Sequence, residues 1–194
     1  MYHYYMFYKP FGCVSARSDG RYPTVMDYFQ ELNNENLSPV GRLDRETEGL
    51  LFVTDDGKWN QLMTHPENRK EKTYDFTAMG TLDAKKIEAV ETGLFLRGSG
   101  IPTAPAKLTV TGTSTLSETL PKLHPEIQKK SSHNRPEHPV VMGRITVTEG
   151  RKHQIRRMLK AVGCCVIGLK RISAGGMVLD ESLKPGEWKE IHIS

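Results

Sequence analysis

The segment Val40-Gly-Arg-Leu-Asp-Arg-Glu-Thr-Glu-Gly-Leu-Leu-Phe52 carries the densest set of signals in the chain. Gly41 and Gly49 permit tight backbone turns on either side of it. Asp44 stands between Arg42 and Arg45, and the apolar run Gly49-Leu-Leu-Phe-Val-Thr54 follows at once, which reads as a buried strand. A carboxylate beside cations stays ionised, because neighbouring positive charge favours its charged form. Such a group suits a nucleophile or a base. On spacing alone an exposed salt-bridge turn of Arg42, Asp44 and Arg45 is the commoner reading, so the meaning of the segment depends on what accompanies it.

Working outward, Asp55-Asp56-Gly57 is a turn, and residues 58–64 are expected as a helix stopped by Pro66. Upstream, residues 2–16 alternate aromatic and other side chains into the turn Lys9-Pro10-Phe11-Gly12, the pattern of a strand. Thr24 is placed to cap a short amphipathic helix through Phe29, and Asn33-Asn34-Glu35-Asn36 reads as a polar loop. Downstream, Lys72-Thr-Tyr-Asp-Phe-Thr-Ala78 alternates with period two, and residues 83–92 carry a helical pattern ended by Gly93. Strands are expected at 108–111 and 143–148, and a helix at 153–162 with Ile155, Met158, Leu159 and Val162 on one side. Beyond Cys165 the chain shows short strand-like runs broken at Gly175-Gly176 and Pro185-Gly186. Residues 113–139, rich in Ser, Thr, Pro, Lys and His, read as an inserted surface loop. Helices and strands interleave without regular βαβ alternation, so the fold class is α+β with a largely antiparallel sheet.

The 194 residues suffice for one sizeable domain or two lobes sharing a core. No run approaches the roughly 18 apolar residues of a membrane helix, and no signal peptide is apparent at the start. Three cysteines (Cys13, Cys164, Cys165) without a C-x-x-C pair suggest neither a disulfide framework nor a zinc site, and fit a reducing cytoplasm. His124, His133 and His138 have no metal-ligand spacing. A net charge of +4 says little, but its distribution says more. Between Glu149 and Asp180 there is no acidic residue, while Arg151, Lys152, Arg156, Arg157, Lys160, Lys170 and Arg171 all fall there. A block of one sign can neutralise phosphates, and it can also be a solvated helix face.

Two further elements accompany Asp44. Lys72-x-Tyr74 opens a strand, where a tyrosine can stack on a base or simply fill a core. Glu149-Gly-Arg-Lys-His-Gln-Ile-Arg-Arg-Met158 is a strand-to-turn-to-helix junction whose cations and helix start would favour phosphate. In this order, together with Tyr8-Lys9-Pro10 and Gly186-Glu187-Trp188, these elements resemble the pseudouridine synthases of the RsuA family over nearly the whole chain.

That resemblance implies a pseudouridine synthase fold across residues 1–194: a long, mixed, mostly antiparallel sheet in two lobes, with flanking helices and a central active-site cleft. It implies Asp44 as the essential aspartate, Tyr74 as the ring that packs on the target uridine, and Arg156 as the cation paired with the aspartate. Arg42 would hold the RNA helix open and Ile155 would line the pocket, while Lys72, Arg151, Lys152 and Arg157 join them as substrate contacts. Flipping a uridine costs a few kcal/mol, and stacking on Tyr74 returns about 1–3 kcal/mol. Breaking the C1′–N1 bond and rejoining uracil through C5 needs no redox step, so no cofactor and no metal are expected. The carboxylate could attack the sugar, add to the ring, or take a proton from C2′.

Many members carry an S4 domain ahead of these motifs, and here the motifs start within the first ten residues. The expectation is therefore the S4-less branch, a monomer acting on ribosomal RNA, the 23S molecule before the 16S, in the cytoplasm and away from membranes. The rival readings are a tRNA pseudouridine synthase and a non-catalytic RNA-binding or ribosome-assembly protein of the same fold. A glycoside hydrolase would need two positioned carboxylates, for which only Glu46 and Glu48 offer themselves.

Overall fold

A computed structural model describes residues 1–193; Ser194, the last residue of the domain expected above, lies outside them. The first strands are β1 (Tyr4–Lys9), β2 (Ser38–Val40) and β3 (Glu48–Thr54), followed by helix α1 (Gly57–Thr64). Then come β4 (Lys72–Met79), α2 (Ala84–Thr92), β5 (Lys107–Thr115), α3 (Leu116–Thr119), α4 (Pro125–Ser131) and β6 (Pro139–Val147). The chain ends with α5 (Gln154–Ala161), β7 (Cys165–Ala174), β8 (Met177–Val178) and β9 (Trp188–Glu190). This is an α+β architecture with mixed strand pairing. It divides into two compact units, residues 1–72 with the chain from Lys170 onward, and Thr73–Leu169.

In the first unit, β1 pairs antiparallel with β3 from Tyr4↔Thr54 to Lys9↔Gly49, and β9 pairs antiparallel with β1 on its other side. β2 adds antiparallel to β3, and β3 meets β7 in parallel at Glu48↔Lys170 and Gly49↔Arg171. Strand alternation explains why β1 is so aromatic. Met6, with Tyr4 and Tyr8, faces a core of Val40, Leu50, Phe52, Trp59 and Met63. Tyr5 and Phe7 project the other way, onto Phe29 at 5.7 and 5.4 Å between ring centroids. Trp188 closes that second cluster, 5.1 Å from Tyr5, and donates its indole N–H to the Tyr28 carbonyl. A strand buried on both faces needs apolar side chains at odd and even positions alike.

Asp56 starts α1 by accepting the backbone N–H groups of Lys58 and Trp59. The helix expected after Thr24 is a 3-10 helix, Val25–Leu32, and the Asp27 carboxylate accepts the Thr24 N–H at 2.7 Å.

In the second unit the strand order is β5-β6-β4-β7, and Tyr74, Phe76 and Ala78 of β4 are the buried half of an alternating pattern. β5 and β6 form a hairpin in register from Lys107↔Thr146 to Thr115↔Pro139, with one irregularity between Val110 and Gly112. Its far end differs from the expected loop at 113–139. β5 continues to Thr115, the chain then makes α3, a 3-10 turn and α4, and β6 begins at Pro139. Leu116 and Ile127 are buried there, so the segment has a small apolar anchor of its own. Among the described residues no helix is long and apolar enough to cross a membrane.

Candidate active site

Asp44 lies on the connection from β2 to β3, in a turn closed by the Thr47 N–H donating to the Asp44 carbonyl at 3.0 Å. Three features hold this turn. Ser15 bridges Leu43, its hydroxyl donating to the Leu43 carbonyl and accepting the Leu43 N–H, both at 3.0 Å. The Gly12 N–H donates to the Arg45 carbonyl at 2.8 Å. The third is Lys9, at the end of β1 and 0% exposed. Its ammonium donates to the carbonyls of Pro10 (2.9 Å), Thr47 (2.8 Å) and, more weakly, Arg45 (3.4 Å).

Burial pushes the Lys9 pKa down to about 8, partly offset by Cys13, Glu48 and Asp44, while Arg45 adds to the fall. Burial also pushes the Cys13 thiol up to about 11. Past the turn, Gly49 has φ +101°, and a Cβ there would lie 2.2 Å from the Arg171 carbonyl oxygen. Glycine alone lets β3 and β7 approach this closely. Arg171 is itself buried, its Nε donating to the Leu50 carbonyl at 2.8 Å.

The two arginines flanking Asp44 are not placed alike. Arg42 is exposed. Arg45 lies over the rings of Tyr22 (4.7 Å) and Phe11 (5.5 Å) and meets the Glu46 carboxylate at 3.2 Å. The cation organising the turn is Lys9, to which the sequence reading gave no role although Tyr8-Lys9-Pro10 was among the segments that carry the family resemblance. Asp44 itself is half-buried. A half-buried carboxylate on a turn fixed from three sides has the positional definition that nucleophilic or base chemistry requires. Lys72, in the same unit, donates to the Lys70 carbonyl, and burial lowers its pKa.

The second unit holds Tyr74 and Arg156. Tyr74 is buried in β4, and Arg156 on α5 donates to the Val166 carbonyl at 3.3 Å. Ile155 is buried on the inner face of α5, and Lys152 is exposed just before that helix. The turn into α5 is built around Gln154. Its amide accepts the Arg151 N–H and donates to Glu149, both at 2.8 Å, and His153 before it takes a left-handed φ of +53°.

Arg151 and Arg157 make contacts that the sequence did not announce. The Arg151 guanidinium donates to Ser99 Oγ (3.1 Å) and to the carbonyls of Ile101 (3.0 Å) and Pro102 (2.5 Å), and meets Glu149 at 3.2 Å. Arg157 donates to the Arg97 carbonyl at 2.6 Å. Both fasten the chain around residues 97–102, a partner no local pattern announces.

The family model for RNA pseudouridylate synthases matches residues 3–161. A ribosomal small subunit pseudouridine synthase A of Haemophilus influenzae is 37% identical over 188 residues, 97% of this chain and 69% of that protein. A Bacillus subtilis relative named as an uncharacterized RNA pseudouridine synthase is 36% identical over 97% of this chain and 69% of its own length. Among solved structures, a crystal structure of a pseudouridylate synthase superposes with a TM-score of 0.79 at 35% identity, covering 99% of this chain and 71% of that one. Where these relatives' names specify a ribosomal subunit it is the small one, so the expected preference for 23S over 16S RNA finds no support. The chain belongs to the RNA pseudouridylate synthase family, in its RsuA-like group, and is an enzyme of that class.

Proposed function

We propose that this enzyme isomerises one uridine of the small-subunit ribosomal RNA to pseudouridine, in the cytoplasm, with Asp44 as the essential carboxylate. The observation that carries the RNA assignment is the 37% identity, across 97% of the chain, to a relative named for the ribosomal small subunit. The Asp44 turn supports the residue assignment, since Lys9, Ser15 and Gly12 fix its backbone independently of any ligand. Tyr74 is the ring for the flipped base, and Arg156 is a further catalytic residue. Arg42, Lys72, Ile155 and Lys152 complete the RNA contacts. The N1–C1′ bond breaks and a C5–C1′ bond forms, while the proton lost from C5 is matched by one gained at N1, so the isomerisation needs no co-reactant.

Two measurements test this. Asp44→Asn and Asp44→Ala should each lower pseudouridine formation on small-subunit rRNA by several orders of magnitude while RNA affinity changes little; near-normal turnover in either sinks the assignment. Mapping pseudouridines in cells with and without the gene should show one site missing from small-subunit rRNA. A site missing from 23S RNA or from tRNA instead overturns the target, and an unchanged map overturns the activity.

A further inference from the structure

Residues 94–103 form a loop with an unusual combination of properties. Its base is closed twice, the Thr103 N–H donating to the Leu94 carbonyl and the Leu94 N–H to the Thr103 hydroxyl, both at 2.9 Å. Leu96 and Thr103 are buried and anchor it. Inside it, the Ser99 N–H donates to the Leu96 carbonyl and the Ser99 hydroxyl to the Ile101 carbonyl, each at 2.8 Å. Arg151 and Arg157 then grip it from the start of α5, through Ser99, Ile101, Pro102 and Arg97. A loop so fastened nevertheless presents two large apolar side chains to water, Phe95 at 70% and Ile101 at 66% exposure. One exposed hydrophobic residue is ordinary; two on a ten-residue loop tied down by four charge-assisted hydrogen bonds mark a binding surface.

Charge states what would bind there. No acidic residue occurs from Thr92 to Ser117 or from Gly150 to Leu179, and the arginine bonds stitch these two acid-free stretches together. Glu149, at the edge, is occupied by Arg151, Gln154 and the Ala104 N–H. Arg97, within the loop, and Lys152, next to Arg151 in the chain, are exposed. Aromatic and aliphatic faces interleaved with cations and no anions are the recognition chemistry of single-stranded nucleic acid, whose unpaired bases offer stacking faces and whose phosphates offer charge.

We propose that the loop at 94–103 is a preorganised platform for single-stranded RNA. Phe95 stacks on a base, Ile101 packs beside it, and Arg97 and Lys152 meet phosphates. Arg151 and Arg157 are positioning residues that keep the platform shaped before RNA arrives, which lowers the ordering cost of binding. The proposal rests on the reading of the chain as an RNA-modifying enzyme.

The test is fluorescence anisotropy with labelled oligouridylate, and with a fully paired RNA hairpin of equal length as the second probe. Phe95→Ala should weaken oligouridylate binding roughly tenfold and leave hairpin binding nearly unchanged, while Phe95→Trp should retain it. Arg97→Gln should flatten the salt dependence by about one phosphate contact. Arg151→Lys keeps the charge and loses the fork. It should weaken oligouridylate several-fold and speed amide hydrogen exchange at 94–103, which a role as a mere counter-charge would not do. Wild-type oligouridylate affinity in Phe95→Ala overturns the platform, as does an equal loss on both probes. Binding to unmodified oligouridylate needs no turnover. An affinity that falls with Phe95→Ala in a protein that forms no pseudouridine therefore overturns the enzymatic reading and keeps the platform.

Discussion

Lys9 and Arg151 both direct their N–H groups at backbone carbonyls, yet they hold two different kinds of loop. Lys9 sits at 0% exposure beneath the Asp44 turn and reaches Pro10, Thr47 and Arg45 from one point. Arg151 remains partly exposed and spreads its planar fork over Ser99, Ile101 and Pro102, about fifty residues away in sequence. A compact ammonium serves carbonyls that converge in a closed space, whereas a guanidinium spans carbonyls that diverge along a surface. The lysine gives up all its hydration and so depends on every carbonyl it meets. The arginine keeps much of its water. Positioning a carboxylate and shaping a binding surface thus draw on cations of different burial, and the two should respond differently to loss.

The largest difference should appear on replacing each cation. Lys9→Met leaves the Pro10 and Thr47 carbonyls buried without their donor, a loss of about 3 kcal/mol in stability. Because the Asp44 backbone loses its support, pseudouridine formation should fall by tenfold or more at a temperature where the variant is still folded. Urea unfolding and single-turnover assays read the two effects. If Arg151→Lys proved as destabilising as Lys9→Met, the contrast between interior and surface cations would break. Arg151→Lys should cost about 1 kcal/mol or less, the scale of a few exchanged surface hydrogen bonds.

The contrast sharpens further with pH. The Lys9 pKa is about 8 in the folded protein and about 10.4 in an unfolded chain. The unfolded state therefore binds more protons between those values, and stability rises with pH across that window. Below pH 8 the full penalty of the buried ammonium is present; from pH 8 to 9 its relief amounts to about 1 kcal/mol. Cys13 opposes this. Its thiol is raised to about 11, so its contribution is complete below the ordinary thiol range and is lost as pH climbs toward 11. Stability measured at pH 8 and 9 should rise in the wild type relative to Lys9→Met, and a parallel course in both proteins would show that Lys9 does not titrate there.

Much of this architecture was legible because periodicity and caps are local. The alternation of residues 72–78, the helices expected at 58–64 and 83–92 and the apolar face of α5 all appear within a residue of where the chain alone placed them. The helices α3 and α4 were not legible, since four and seven mostly polar residues give no measurable helical period, and each is anchored by one buried apolar side chain, Leu116 and Ile127. At the site, Asp44 stood out because its glycines, charges and following strand are contiguous. The carbonyls that Lys9, Arg151 and Arg157 hold were not legible for one reason: a sequence records a charge but not the carbonyls that will surround it, and those lie 38, 50 and 60 residues away.

The smallest effect probes the same turn from its other end. Thr47 gives its carbonyl to Lys9 and its N–H to the Asp44 carbonyl, while its own hydroxyl is buried with no hydrogen-bond partner among the described residues. A buried hydroxyl without a partner costs about 1–3 kcal/mol relative to water, and valine has nearly the same shape. If the backbone ties to Lys9 and Asp44 are what Thr47 contributes, Thr47→Val preserves them and stability stays level or rises by up to about 1 kcal/mol. Pseudouridine formation should then remain within a few-fold of wild type, because the Asp44 backbone has not moved. A loss of more than about 1 kcal/mol on unfolding would mean that the hydroxyl has a partner of its own. The turn would then be held through side chains as well as through the carbonyls that Lys9 collects, bringing it closer in kind to the loop that Arg151 grips at Ser99.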